Sequence, residues 1–169
     1  VTVVTSPVRD LRVTRSDGTV VAVLVNCSGN FRINPNNSYD VVRINGKGYR
    51  GYIDCFRYSD SHITVVNVVD FEEYLYGVVP NEIEGASHPE ALKAQAVAAR
   101  TYSITQLGKH MKYGFDLCNS ECCQVYKGYD SEYPTTNVAV DQTRGEVVTF
   151  LGEPATIYYF ASSGGMTEN

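Results

Sequence analysis

The sequence predicts an α+β fold, in which a β-rich amino-terminal part packs with a helical core and a carboxy-terminal β-hairpin. Three observations predict it. Residues 1–69 hold short β-branched and aromatic runs punctuated by Gly, Asn and Asp turns. At Asp70 the pattern changes, and apolar residues recur at helical spacing as far as about residue 107. β-Branched and aromatic residues then return in 145–162 around Gly152-Glu153-Pro154. The expected organisation is a β region over 1–69 and a helical core with a Cys-rich loop and hairpin over 70–169, joined as one continuous domain.

Taken in order, "RSDGT" (15–19) is an Asp-Gly hairpin turn leading into "VVAVLV" (20–25), a buried-strand candidate. "NPNNS" (34–38) and "NGKG" (45–48) read as further turns, and "YRGYIDCFRY" (49–58) and "HITVVNVV" (62–69) as two more strands. Asp70 with Glu73 forms a capping-box pattern for a short amphipathic helix carrying Phe71, Leu75, Val78 and Val79, which Pro80-Asn81 ends. Ser87 is the expected N-cap of a second helix, with Glu90 as its box partner and Pro89 in the first turn. That helix runs to about Leu107, sets Leu92, Ala96, Ala99 and Ser103 on one small-residue face, and is expected to be buried, with Gly108 ending it. Residues 109–137 are loop-like, "NVAVDQT" (137–143) reads as a short helix, and "GEVVTFLGEPATIYYFAS" (145–162) as the hairpin, followed by the "SSGG" turn (162–165).

Composition narrows the function. The chain has 169 residues, 43% hydrophobic and 20% charged, enough for a real core. Its net charge of −5, with no basic run, argues against nucleic acid as a partner, because phosphate binding needs clustered Lys and Arg. The 13 tyrosines suit either a β-rich scaffold or stacking against sugar rings. No apolar run reaches the roughly 20 residues that cross a membrane. Val1 opens in strand-like alternation and the chain stops just beyond a Gly-Gly turn, so the expectation is an ectodomain excised from a longer anchored protein.

The residues able to do chemistry cluster around the second helix. Gln95 and Arg100 are polar groups among alanines, and buried polar groups need partners. One reading makes them structural, with Arg100 paired to Glu82 or Glu90 and Gln95 bonded to loop backbone. The other adds Glu82, which follows Val78, Val79 and Pro80 in a loop before the helix. An apolar shell raises a carboxyl pKa, as a general acid at a glycosidic oxygen requires. Spacing alone does not separate Glu82 from Glu84.

"VVNVVDFEEYLYGVVPNE", "PEALKAQAVAARTY", "CQVYKG", "AVDQTRGEVVTFLGEP" and "YYFASSGGMTE" stand in order over residues 65–168 and resemble the stage II sporulation protein D family. Members of that family are bacterial cell-wall proteins. Its sporulation members are lytic transglycosylases that cut glycan strands lacking stem peptides during engulfment, alongside a partner amidase-endopeptidase. Other relatives are described as enhancers of wall amidases. The resemblance implies that Glu82, after "GVVPN", is the catalytic acid. A hydrolase needs two carboxyls, whereas a transglycosylase can use one, because the muramic acid C6 hydroxyl is an intramolecular nucleophile. In this reading Gln95, Arg100, Gln124, Tyr126, Ser162 and Ser163 line the glycan groove. The rival reading is a non-catalytic glycan-binding module that enhances an amidase. His88 is read as a tolerated change at the helix start.

The five cysteines are Cys27, Cys55, Cys118, Cys122 and Cys123. Cys27 and Cys55 can pair or be buried separately. His110 with the Cys118–Cys123 cluster offers a soft ligand set that suits zinc, and a disulfide from Cys118 to Cys122 or Cys123 is the alternative. The family resemblance favours one structural zinc on His110, Cys118 and Cys123, leaving Cys122 spare. A zinc hydrolase is disfavoured, because only three histidines are present: His62, His88 and His110.

Overall fold

The computed structural model describes residues 2–5, 11–15, 17–24, 30–37, 40–59, 62–160 and 165. Cys27, Ser162 and Ser163, with most of the "SSGG" turn, lie outside the described residues. The described chain divides into two compact units. One takes the residues up to Asp70 with Met111–Phe115 and Gly128–Asp130, and the other takes Phe71–His110, Asp116–Lys127 and those from Ser131 onward.

In the first unit, β1 (Thr2–Thr5), β2 (Leu11–Thr14) and β3 (Val20–Leu24) form an antiparallel meander. The turn before β3 closes where Asp17 Oδ1 accepts from the Thr19 N–H at 2.8 Å. A second sheet has the order β4 (Phe31–Ile33), β7 (Tyr52–Ser59), β8 (His62–Val68), all antiparallel. Between β4 and β7 lies a hairpin of β5 (Val42–Ile44) and β6 (Lys47–Tyr49). Asn45 and Gly46 carry φ values of 50° and 82°, the pair of left-handed residues that a two-residue hairpin demands. The expected turn at 45–48 is therefore only Asn45-Gly46. The expected strand over 49–58 is broken at Gly51, whose φ is 68° and where a Cβ would fall 2.1 Å from the Val68 carbonyl oxygen. Val42, Ile53 and Cys55 form a buried cluster, flanked by Phe31, Ile33 and Ile63. Burial pushes the Cys55 thiol up to about 11, so it is an inert packing residue.

The second unit holds the helices α1 (Phe71–Tyr76), α2 (Pro89–Gln106) and α3 (Pro134–Gln142), with a small ladder of β9 (Thr149–Phe150) and β10 (Glu153–Pro154). Helix α1 is shorter than its apolar spacing implies. It stops at Tyr76, and Val78 and Val79 are buried in a turn and a 3-10 turn over Val79–Asn81. Helix α2 buries Leu92, Ala96, Ala99 and Ser103 as expected, and Arg100 and Thr101 beside them. Its N-cap is His88 rather than Ser87. The imidazole Nδ1 accepts from the Glu90 N–H at 3.2 Å, so this histidine has a definite task at the helix start. The helix ends one residue before Leu107, and Gly108 turns the chain at φ 81°. Helix α3 begins three residues earlier than its apolar pattern suggests, because Pro134 occupies the first turn. The closing hairpin is present, and it turns at Leu151-Gly152.

Candidate functional site

The second unit is organised around Arg100. Its Nε and Nη2 donate to Glu72 Oε1 and Oε2 at 3.0 and 2.7 Å, a bidentate pair in which Arg100 is 1% exposed. Further guanidinium hydrogens go to the carbonyls of Glu146 (3.1 Å) and Val140 (3.2 Å), and Glu72 Oε1 also accepts from the Gly145 N–H (3.2 Å). One cation thus ties α1 and α2 to the carboxy-terminal end of α3. The expected partners, Glu82 and Glu90, are not its partners. Glu90 binds Lys93 on the helix surface instead. Glu72 was legible in principle, because it shares a helix face with Leu75 three residues on, and both are buried. Arg100 is placed as a scaffold residue, enclosed and fully occupied, rather than as a groove residue.

Glu82 follows the 3-10 turn, with its own N–H bonded to the Val79 carbonyl at 3.0 Å. The turn is pinned from two sides: Asn81 Nδ2 and the Lys127 N–H both donate to the Gly77 carbonyl, at 2.7 and 3.2 Å. Val78 and Val79 beneath it are fully buried. The Glu82 carboxyl is half-buried. Burial raises its pKa above the usual carboxylate range, and the Val125 N–H that it accepts works in the opposite direction.

The segment that supplies that N–H is fixed by Gln124, which is 2% exposed. Its Nε2 donates to the Ala99 carbonyl (3.1 Å) and the Tyr159 hydroxyl (2.8 Å), and its Oε1 accepts from the hydroxyls of Ser103 (2.6 Å) and Tyr74 (3.1 Å). Tyr126 is buried against Tyr74, with ring centroids 5.0 Å apart. Gln124 and Tyr126, both expected to line a groove, are therefore interior supports. Gln95 is half-buried, and its Nε2 is enclosed with no partner among the described residues. Tyr74 and Tyr159 were missed. The signal for Tyr159 was strand alternation, since Tyr158 and Phe160 on either side are 79% and 58% exposed.

Ahead of Gln124 the ligating atoms of His110, Cys118, Cys122 and Cys123 all lie within 4.8 Å of one another. Cys122 Sγ sits 3.7 Å from His110 Nε2. The hydrogen bond from the His110 N–H to the Asp116 carbonyl (3.1 Å) brings the histidine back towards the cysteines despite its distance in sequence. All four described cysteines are free thiols, so neither disulfide considered for the cluster is formed. Cys122, expected to be spare, is the fourth member. Burial opposes ionisation of Cys118, but hydrogen bonds from Ser120, Cys123 and Cys122 outweigh it and bring the thiol down to about 6. Burial pushes the Cys123 thiol up to about 11. Sulfur ligands of a tetrahedral zinc stand about 3.8 Å apart, so the four groups converge closely enough to hold a metal ion.

With this geometry the chain defines a helical unit carrying a half-buried glutamate and a Cys/His cluster able to hold a metal ion. It belongs to the stage II sporulation protein family, whose profile matches residues 59–150. It is 48% identical over 94 residues to the "Amidase enhancer" of Bacillus subtilis, covering 56% of this chain and 12% of that protein. It is 39% identical over 131 residues to an uncharacterized protein of Brachyspira hyodysenteriae, covering 77% of this chain and 35% of that one. It is 32% identical over 127 residues to "Stage II sporulation protein D" of Bacillus subtilis, covering 66% and 37%. The chain spans no more than 37% of the length of these relatives. Glu82, the Arg100–Glu72 pair and the Cys/His cluster fall inside the matched residues, whereas Tyr159 lies beyond them.

Proposed function

We propose that this chain carries the catalytic site of a peptidoglycan lytic transglycosylase, with Glu82 as its one acid and base. The observation that carries the reading is the half-buried Glu82 carboxyl above Val78 and Val79, whose pKa burial raises above the usual carboxylate range. Glu82 protonates the glycosidic oxygen leaving MurNAc C1. The MurNAc C6 hydroxyl attacks C1, and the Glu82 carboxylate takes the hydroxyl proton, leaving a 1,6-anhydro end. Glycan strands without stem peptides are the substrate. A wall amidase-endopeptidase is the partner that exposes them, in engulfment during sporulation or in other wall remodelling. The full-length protein then works outside the cytoplasm on a membrane or wall anchor. No helix among the described residues is long and apolar enough to cross a membrane.

Gln95, half-buried on α2, and Ser162 and Ser163 stay in the groove as proposed. His110, Cys118, Cys122 and Cys123 hold one zinc ion. A zinc with four protein ligands is closed to substrate and ties the loop together structurally, so the chemistry needs no cofactor. The 48% identity to a relative named "Amidase enhancer" favours a second reading, a glycan-binding module that assists an amidase without cutting.

The test is digestion of purified glycan strands, with and without prior amidase treatment, by wild type and Glu82→Gln, read by mass spectrometry. Anhydro-MurNAc ends from the wild type on denuded strands, lost in the variant, are expected. Reducing ends would replace the reading with a hydrolase. Glycan binding without cleavage in both proteins would favour the enhancer module.

A further inference from the structure

The Gln124 amide has both hydrogens and both carbonyl lone pairs engaged, and the pattern admits one orientation. Turned over, its carbonyl would face the Ala99 carbonyl, acceptor against acceptor. Nε2 is therefore the atom 2.8 Å from the Tyr159 hydroxyl, and an amide nitrogen can only donate. Tyr159 must accept there, so its own O–H points elsewhere. No acceptor for that proton is found among the described residues, and the Tyr159 side chain is only half-buried. The ring is steadied by Tyr102, edge-on at 6.0 Å. The next residue in sequence, Val125, gives its N–H to Glu82. Two consecutive residues thus fix the acid itself and a phenol whose proton has no acceptor among the described residues. The Glu82 charge is close enough to bear on Tyr159: burial pushes the hydroxyl up to about 12, the Gln124 hydrogen bond opposes this, and Glu82 adds to it.

We propose that Gln124 makes Tyr159 an obligate hydrogen-bond donor to an oxygen of the bound glycan beside Glu82, so that Tyr159 is a substrate-binding residue and Gln124 its positioning residue. The inference rests on the glycan reading of the Glu82 site. Packing accounts for the accepting half of this contact, because the second hydrogen of the buried Gln124 amide needs an acceptor and Tyr159 is it, but it gives no partner to the phenol's own proton. The donor suits the hydroxyl and acetamido oxygens of an amino sugar. A neutral phenol also keeps its proton at any pH where Glu82 works.

The experiment measures binding of amidase-treated glycan strands by calorimetry in the Glu82→Gln background, where no chemistry consumes the ligand. Tyr159→Phe, which keeps the ring, is expected to weaken binding about tenfold, the scale of one well-placed hydrogen bond. Gln124→Met is expected to weaken it too, by letting the phenol turn its proton into the void. The double variant should be no weaker than Tyr159→Phe alone, a coupling that a merely structural Gln124 would not give. Binding by Tyr159→Phe as tight as its parent overturns the proposal, as do losses that multiply in the double variant. If Gln124→Met fails to fold, Tyr159→Phe decides the contact by itself. Should the active protein yield no anhydro ends while Tyr159→Phe still weakens binding, the transglycosylase reading falls and the contact stands.

Discussion

Replacing Glu72 by Gln strands a charge. Arg100 is 1% exposed, and two of its guanidinium hydrogens end on the Glu72 carboxylate. In Glu72→Gln the side chain keeps its size and one acceptor oxygen, but the guanidinium faces an NH2 group and has no counter-charge. Removing one partner of a buried ion pair costs about 3–5 kcal/mol. At about 2–4 °C per kcal/mol for a chain of this size, the melting midpoint should fall by roughly 6–20 °C. Glu72→Leu with Arg100→Met removes both charges and should recover most of that loss, since apolar replacements of a buried pair are often neutral. Glu90→Gln, which touches only a surface pair with Lys93, should leave the midpoint where it is. The assay is thermal unfolding followed by circular dichroism, with glycan affinity measured well below the midpoint. Affinity should be unchanged in the folded double variant, because Arg100 is enclosed by α1, α2 and the end of α3. A stable Glu72→Gln protein, or a stable double variant that has lost glycan affinity, would refute the scaffold assignment and return Arg100 to the groove.

The remaining predictions concern pH, metal and backbone. Glu82 has a raised folded pKa, so its contribution to stability is fully present below its unfolded pKa near 4.5 and is lost as pH rises through the folded value. Glu82→Gln should therefore be more stable than wild type at neutral pH, with the difference vanishing below about pH 4 in urea titrations across pH. The purified protein should carry one zinc per chain by elemental analysis, and Cys122→Ala should bind it at least tenfold more weakly in a competition titration with a chromogenic chelator. Stripping the metal should lower the melting midpoint, and added zinc should restore it. Gly51→Ala must force a Cβ to within 2.1 Å of the Val68 carbonyl oxygen at φ 68°, and should cost about 2 kcal/mol or more in urea unfolding.

Much of this was legible in the sequence, for identifiable reasons. The buried face of α2 followed from small residues at helical spacing, and the Asn45-Gly46 turn from a dipeptide that tolerates left-handed backbone. The family resemblance names three members of the cysteine cluster, His110, Cys118 and Cys123, but leaves Cys122 spare. Cys122 joins them through the turns at 116–123, which sequence spacing does not encode. The same limit applied to Arg100. That it needed an acid was predictable, but which acid depended on how α1 lies against α2, and the answer was a glutamate 28 residues away rather than one near the helix start. Local signals also misplaced short features. Ser87 is the better cap by type, yet His88 takes the position because its ring nitrogen reaches the Glu90 N–H. Gln124 and Tyr126 looked like groove residues because polar and aromatic types are shared by grooves and by buried networks. Only burial tells them apart, and both are interior.

The distribution of ties bears on how the one carboxyl of the proposed mechanism would serve as both acid and base. A group that must hold a proton and then accept one needs a local field that stays constant through the reaction, and a single flexible loop does not supply that. Here two short segments face each other. The turn carrying Glu82 is fixed by backbone bonds to Val79 and by the double-capped Gly77 carbonyl. The segment carrying Val125 is fixed by the four-bonded Gln124 amide and is flanked on its other side by Cys123 of the Cys/His cluster. Burial and the Val125 N–H then act on Glu82 in opposition, so a small shift of either segment would move its protonation. The metal cluster tests this coupling from a distance. If it matters to function only by holding the 116–127 segment, then removing zinc should move the alkaline limb of the kcat/KM profile through Glu82 as well as lowering stability. An unchanged profile in metal-free protein that is still folded would show that Gln124 alone fixes the Val125 N–H.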